Sequence, residues 1–179
     1  MILTRQHKVS RMQLSRLVKQ GKLERVARGL YMDAETELTE HHSLVEACCQ
    51  IPRGTVCLLS ALSFHGLTTQ SSFEVWVAID IKDKRPKVVQ PAIRFVHFSG
   101  EALCYGIEEH MLEGHCVKVT AVAKTVADCF KFRHKIGTDI AVEALRDYLR
   151  QAKSWGPLLE ACKVCRMARV IQPYLEALA

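Results

Sequence analysis

The sequence predicts an α+β chain in two parts: a short basic helix-and-hairpin segment, then a mixed α/β domain with a small sheet and C-terminal helices. Three observations carry this. Eight of the first 31 residues are Lys or Arg and only Glu24 is acidic, a formal +7, whereas residues 32–179 carry 17 bases and 18 acids, a formal −1. The order helix, glycine, hairpin fills residues 10–32. Beyond Glu40 the apolar pattern becomes short alternating runs and then helical spacing. With 179 residues, 49% apolar and 25% charged, the chain is long enough for a small module plus a domain with its own core.

Taken in order, Ser10 is placed to cap a helix and Gln13 to close a capping box with it. Leu14, Leu17 and Val18 then share one helical face, and Met12, Gln13, Ser15, Arg16 and Lys19 the other. Gly21 closes the helix, Lys22 to Val26 forms a strand, Ala27-Arg28-Gly29 turns, and Leu30-Tyr31-Met32 returns. A basic helix followed by a basic hairpin is the footprint of a winged helix-turn-helix on DNA. Residues 33–40 are polar and read as a linker, which leaves 41–179 as the second domain.

In that domain Thr39 is expected to cap a helix through Leu44, Val45, Cys48 and Cys49 that Pro52 stops. Val56–Leu59 is a short apolar run, and Ser60–His65 a single short helix ended by Gly66. Phe73–Ile79 alternates as a strand, with Phe73, Val75, Val77 and Ile79 on one side. A polar loop, Asp80–Gln90, leads to a second strand, Ala92–Phe98. Ile107–Leu112 and His115–Val119 flank a Glu113-Gly114 hairpin turn. Helices are expected over Val122–Phe132, Asp139–Ala152 with Thr138 as cap, Pro157–Met167, and after Pro173.

Four strings resemble the AbiEi family, abortive-infection antitoxins of type IV toxin–antitoxin systems: VSRMQLSRLVKQGKLERVARGLYM (9–32), LLSALSFHGL (58–67), FEVWVAID (73–80) and AKTVADCFKFR (123–133). The resemblance implies an N-terminal winged helix that represses its own operon at inverted repeats. It also implies a C-terminal domain that counteracts a nucleotidyltransferase toxin without requiring a stable complex. Family members carry another helix upstream, so the first helix of the three-helix core is expected to be absent or truncated here, from a misplaced start or in a copy that binds DNA weakly. Self-association on the operator is expected with inverted repeats.

The candidate base readers are Arg11, Gln13, Ser15, Arg16 and Lys19, since Arg pairs with guanine and Gln with adenine through two hydrogen bonds. Lys22, Arg25 and Arg28 on the hairpin are expected over phosphates. Five to seven phosphate contacts would give a log–log salt slope of roughly −5 to −6.

On Val122–Phe132, Val126, Cys129 and Phe130 fall on one face and Lys124, Asp128 and Lys131 on another, as in a core helix with a charged outer side. The functional alternative makes Lys124, Asp128, Lys131 and Arg133 part of the antitoxin surface, and both readings stay open.

Other constellations are weaker. Cys162 and Cys165 lack a second ligand pair near in sequence, His110, His115 and Cys116 being far along the chain, so buried thiols are preferred to a zinc site. Cys48 and Cys49 are read the same way. Glu74, Asp80 and Lys82 could build a nuclease metal site only if both carboxylates converge. Ser60, His65 and Asp128 make a triad on paper, but Ser60 reads as a cap and His65 as the residue before a closing glycine.

No metal or cofactor is expected, and no enzymatic activity. No apolar run approaches the roughly 18–20 residues of a membrane span, and the start has too short an apolar stretch for a signal peptide. A cytoplasmic protein with free thiols is expected. A stand-alone regulator with a ligand-sensing or dimerising domain and a metal-dependent nuclease are the alternatives.

Overall fold

Strand pairing organises the chain into two sheets. The computed structural model describes residues 2–3, 9–27, 29–35, 38–70, 72–151 and 154–178. In the first sheet β1 (Ile2–Leu3), β3 (Leu30–Asp33) and β2 (Leu23–Ala27) lie in the order β1-β3-β2, all antiparallel. Helix α1 (Arg11–Lys19) packs on β2. This helix-strand-strand unit fits a winged helix-turn-helix.

The second sheet has the order β6-β5-β4-β8-β7. Its strands are β4 (Thr55–Val56), β5 (Val75–Asp80), β6 (Ile93–Phe98), β7 (Ile107–Leu112) and β8 (His115–Thr120). The β5–β6 and β4–β8 pairs are parallel, the others antiparallel. Helices α2 (His42–Gln50), α3 (Leu58–Phe64) and α4 (Glu101–Cys104) are interleaved with these strands. Helices α5 (Val122–Lys131), α6 (Arg133–Ile136), α7 (Thr138–Gln151), α8 (Gly156–Val164) and α9 (Ala168–Leu178) follow them. The architecture is mixed α+β, as the sequence predicts.

Both faces of this sheet are covered, which changes the reading of its strands. On β5, Val75, Val77 and Ile79 join one apolar cluster with Leu44, Val45 and Ala47 of α2. Trp76 and Ala78 join the other, with α5, α7, α8 and α9. A strand buried on both sides carries no solvent face, so alternation along it sorts side chains between two cores. Phe73, expected with the inward set, lies before the strand and is 100% exposed.

Other boundaries move for local reasons. Thr39 does not cap α2: its hydroxyl donates to Glu113 and accepts the His41 N–H at 3.3 Å, a turn ahead of the helix, which starts at His42 with His41 in the N-cap position. Ser60 lies inside α3, where its Oγ accepts from the Trp76 backbone N–H at 2.9 Å. Pro173 sits within α9, which begins at Ala168. The β7–β8 turn forms at Glu113-Gly114 with φ of 49° and 75°, the two left-handed residues of a type I′ hairpin.

At the centre of the larger core lies an ion pair. Lys124 Nζ is 2.5 Å from Asp128 Oδ2, one helical turn apart on α5, and both side chains are fully buried. Cys165 donates from Sγ to Asp128 Oδ1 at 3.3 Å, and the ammonium lies 4.4 Å from the centre of the Phe98 ring. Gly106 (φ 59°) lets the backbone pass over the Lys124 stem, where a Cβ would come within 3.0 Å of Cδ. Burial pushes Asp128 up from the ordinary carboxylate range, against the pull of the Lys124 charge. Burial and the adjoining carboxylate raise the Cys165 thiol to about 12, so it stays protonated and able to donate.

Removing one partner leaves an uncompensated buried charge. Asp128→Ala is expected to cost about 3–5 kcal/mol in urea unfolding, while the Lys124→Met/Asp128→Leu double variant recovers most of it. A single substitution costing under about 1 kcal/mol would show that the pair is not dry.

Candidate nucleic-acid interface

Helix α1 is fixed at both ends by its own sequence. The Gln13 backbone N–H donates to Ser10 Oγ at 3.2 Å and the Ser10 N–H to Gln13 Oε1 at 3.0 Å, a complete capping box. At the other end Gly21 takes φ 69°, the Gly21 N–H bonds Val18 O, and the Lys22 N–H bonds Leu17 O. These are the two bonds of a Schellman motif. Nine residues are few for an isolated helix, so capping and packing must supply its stability. Leu14 is buried, Leu17 and Val18 half-buried, and Leu23 and Leu30 are the buried residues of the hairpin.

At about 100° per residue, the side opposite this stripe is centred on Met12, Ser15, Arg16 and Lys19, with Arg11 and Gln13 at its margins. All six are exposed. Gln13 differs from the others: its Oε1 is engaged by Ser10, and two-bond pairing to adenine would break the capping box. Lys22 and Arg25 are exposed beside the helix, Arg25 standing opposite Tyr31 at an irregularity in the β2–β3 register. Arg28 lies outside the described residues.

The remaining sequence candidates are held apart or otherwise occupied. Lys124 and Asp128, expected on a charged outer face, are the buried pair of the core, so they form no part of an antitoxin surface. Lys131 and Arg133 are half-buried, with Arg133 Nη1 donating to Phe130 O at 2.8 Å. Ser60 serves the Trp76 backbone, His65 Nε2 lies 2.8 Å from Thr120 O, and Asp128 holds Lys124, so no triad exists. Glu74 pairs with Arg94 at 3.2 Å, whereas Asp80 Oδ1 accepts the Lys82 N–H at 2.9 Å. Glu74 precedes β5 and Asp80 ends it, their backbones about 20 Å apart along the strand, so the carboxylates do not converge.

Cys162 and Cys165 are buried, their thiols raised to about 11 and about 12 by burial and then by Asp128. Cys48 and Cys49 are only half-buried. They line a surface cavity of about 200 Å³ with His115, Cys116 and Lys118, and Cys49 Sγ lies 3.6 Å from His115 Nδ1. Among the described residues no three His, Cys, Asp or Glu side chains are arranged to hold a metal ion. Nor is any helix among them long and apolar enough to cross a membrane.

With this geometry in view, the comparison with known families is direct. Residues 3–32 match the family model described as transcriptional regulator, AbiEi antitoxin. The match covers α1 and the β2–β3 hairpin, whereas the family-like strings in the sequence continue to Arg133. No curated protein matches the chain.

Sequence reasoning missed the anchor of the segment that joins the AbiEi-like unit to the rest. Glu113 accepts from Thr39 Oγ1 at 2.7 Å and from the Thr39 N–H at 3.3 Å, and its other oxygen is 2.9 Å from His42 Nδ1. The signal was present only as an acidic residue in a turn that usually takes Asn or Asp. Burial raises the Glu113 carboxyl, but the bonds from Thr39 and His42 outweigh it and leave the group below its ordinary value.

Two expectations follow from these contacts. Ser10→Ala should cost about 1 kcal/mol and fray α1, read as lost helical signal and faster amide exchange over residues 11–19. Glu113→Gln should destabilise by roughly 1–2 kcal/mol at neutral pH. Because the folded carboxyl titrates below its unfolded value, the advantage over Glu113→Gln is complete above about pH 4.5. It shrinks as pH falls through the depressed value, and urea midpoints between pH 3 and 7 check this.

Proposed function

We propose that the chain is a DNA-binding transcriptional autorepressor and the antitoxin of a type IV system, acting against a nucleotidyltransferase toxin. The carrying observation is the doubly capped basic helix followed by a basic hairpin, within residues that match the AbiEi antitoxin regulator model. In this reading residues 1–32 engage an inverted-repeat operator, 33–40 link, and 41–179 supply the antitoxin function. In the same reading Arg11, Ser15, Arg16 and Lys19 meet base edges, and Lys22, Arg25 and Arg28 of the hairpin segment meet phosphates. Gln13 contributes through the cap. Lys131 and Arg133 stay within the candidate antitoxin surface. The role is non-enzymatic and cytoplasmic, needs no cofactor, metal or membrane, and does not require a stable complex with the toxin.

The test has two arms. Full-length protein is titrated against duplex from upstream of its own gene and against a scrambled duplex. Arg16→Ala should cost about 1–3 kcal/mol on the upstream sequence and little on the scrambled one. Arg25→Ala should weaken both alike and reduce the salt slope by about one. In the second arm the adjacent gene is co-expressed: growth arrest relieved by this chain supports the antitoxin role. An adjacent product without toxicity, with operator binding intact, would leave a stand-alone regulator. Equal affinity for both duplexes removes the repressor reading.

A further inference from the structure

The loop between β5 and β6 carries a charge pattern that its near-neutral domain hides. Lys82, Lys84, Arg85 and Lys87 put four cations into six positions against one acid, Asp83. That acid is already engaged, since Arg53 Nη1 lies 3.3 Å from its Oδ1. All four cations are exposed, and among the described residues none forms an ion pair; Arg85 only donates from Nε to His97 Nε2 at 3.4 Å. Outside this stretch and residues 1–31 the chain holds 13 bases and 17 acids, and its densest runs of bases there, residues 131–135 and 163–169, hold three each against the four of this loop.

The topology explains how the loop displays it. β5 and β6 are adjacent and parallel, registered from Val75↔Ile93 to Asp80↔Phe98. The chain must therefore return the full length of a six-residue strand, about 20 Å, before starting β6. Residues 81–83 are spent on the turn closed by the Asp83 N–H to Asp80 O bond, which leaves 84–92 to cover that distance. Nine residues of α-helix would span only about 13.5 Å. The segment thus crosses as an open strap without a helix or strand of its own.

The strap is tied down along its course. Val88 packs into the cluster under α2, and the side-chain amide of Gln50 donates to Gln90 O at 2.6 Å. Lys84, Arg85 and Lys87 are thereby carried on a tied segment over the sheet face that packs against α2, with Lys82 in the turn that leads into it.

We propose that this strap is a second nucleic-acid contact, gripping the phosphate backbone of duplex DNA without reading its sequence. Each strand of duplex DNA carries one phosphate for about every 3.4 Å of helix axis, and several exposed, unpaired cations on one short segment suit such a repeating array of charge. A protein partner would call for aromatic anchors in a desolvated pocket, and residues 81–92 contain no aromatic residue. The inference deepens the DNA-binding reading but does not need an operator, since a sequence-blind grip acts on any duplex.

The test uses the full-length chain and the Lys82→Gln/Lys84→Gln/Arg85→Gln/Lys87→Gln variant, titrated on upstream and scrambled duplexes from 50 to 300 mM salt. Thermal unfolding confirms that these exposed substitutions leave the fold intact. The log–log salt slope is expected to fall by about 2–4 on both duplexes, with the affinity ratio between them unchanged. Arg16→Ala should do the reverse, changing the ratio more than the slope. Slopes that superimpose on wild type overturn the proposal, as does a variant that loses only toxin relief or only binding to phosphatidylglycerol vesicles. Equal wild-type affinity for the two duplexes would sink operator recognition, while a lowered slope would still uphold the strap.

Discussion

The larger core is built around a charge it has to neutralise. Moving an ammonium and a carboxylate into a dry core costs several kcal/mol each, and their attraction offsets this only when the remaining valences are filled. Here they are supplied from several elements: the Asp128 oxygens from α5 and the Cys165 thiol beyond α8, the Lys124 ammonium from the Asp128 carboxylate and the Phe98 ring of β6. Gly106, between α4 and β7, gives the Lys124 stem room to lie flat. The pair therefore works as a register pin. A slide of α5 by one turn would carry the intrahelical pair with it but forfeit the Cys165 hydrogen bond and the Phe98 ring contact, whereas apolar contacts alone would tolerate the shift.

That pin also marks where sequence reasoning failed. Lys124, Asp128 and Lys131 are grouped by helical spacing away from Val126, Cys129 and Phe130, and spacing says nothing about whether the second face meets water. The helix is enclosed by α3, α7 and α8 besides the sheet, so both faces are interior and only the chemistry of the partners separates them. β5 misled in the same manner, its alternation dividing two cores, while Phe73 fell past the end of the strand. Pro173 illustrates a further limit, because a proline inside a packed helix can be tolerated when tertiary contacts hold the chain on either side.

What was legible was local. The capping box of Ser10 and Gln13, the Gly21 closure, the β2–β3 hairpin and the Glu113-Gly114 turn all depend on residues within about four positions of one another. Such signals survive any tertiary context, which is why the N-terminal unit could be read residue by residue. Gln13 shows the limit even there: its exposure suggested base contact, but the bond that makes it a good helix opener occupies the oxygen that contact would need. The Thr39–Glu113–His42 anchor spans more than seventy positions and had no sequence signature beyond composition.

These constraints divide the labour of the molecule on the proposed reading. Among its described residues the N-terminal unit buries Leu14, Leu23 and Leu30 and caps α1 at both ends, so its recognition side can be cationic without strain on that packing. Residues 41–179 use a buried charge pair to fix α5 and carry four exposed, unpaired cations on and beside a tied strap. Because phosphate contacts gain affinity from counterion release and base contacts gain specificity from geometry, the two cationic regions need not be redundant. A short helix presenting few base-reading side chains limits discrimination, and a sequence-blind grip elsewhere raises occupancy on specific and random duplex alike. Added grip therefore sharpens nothing; it lets a small reading head work at an ionic strength where that head alone would dissociate.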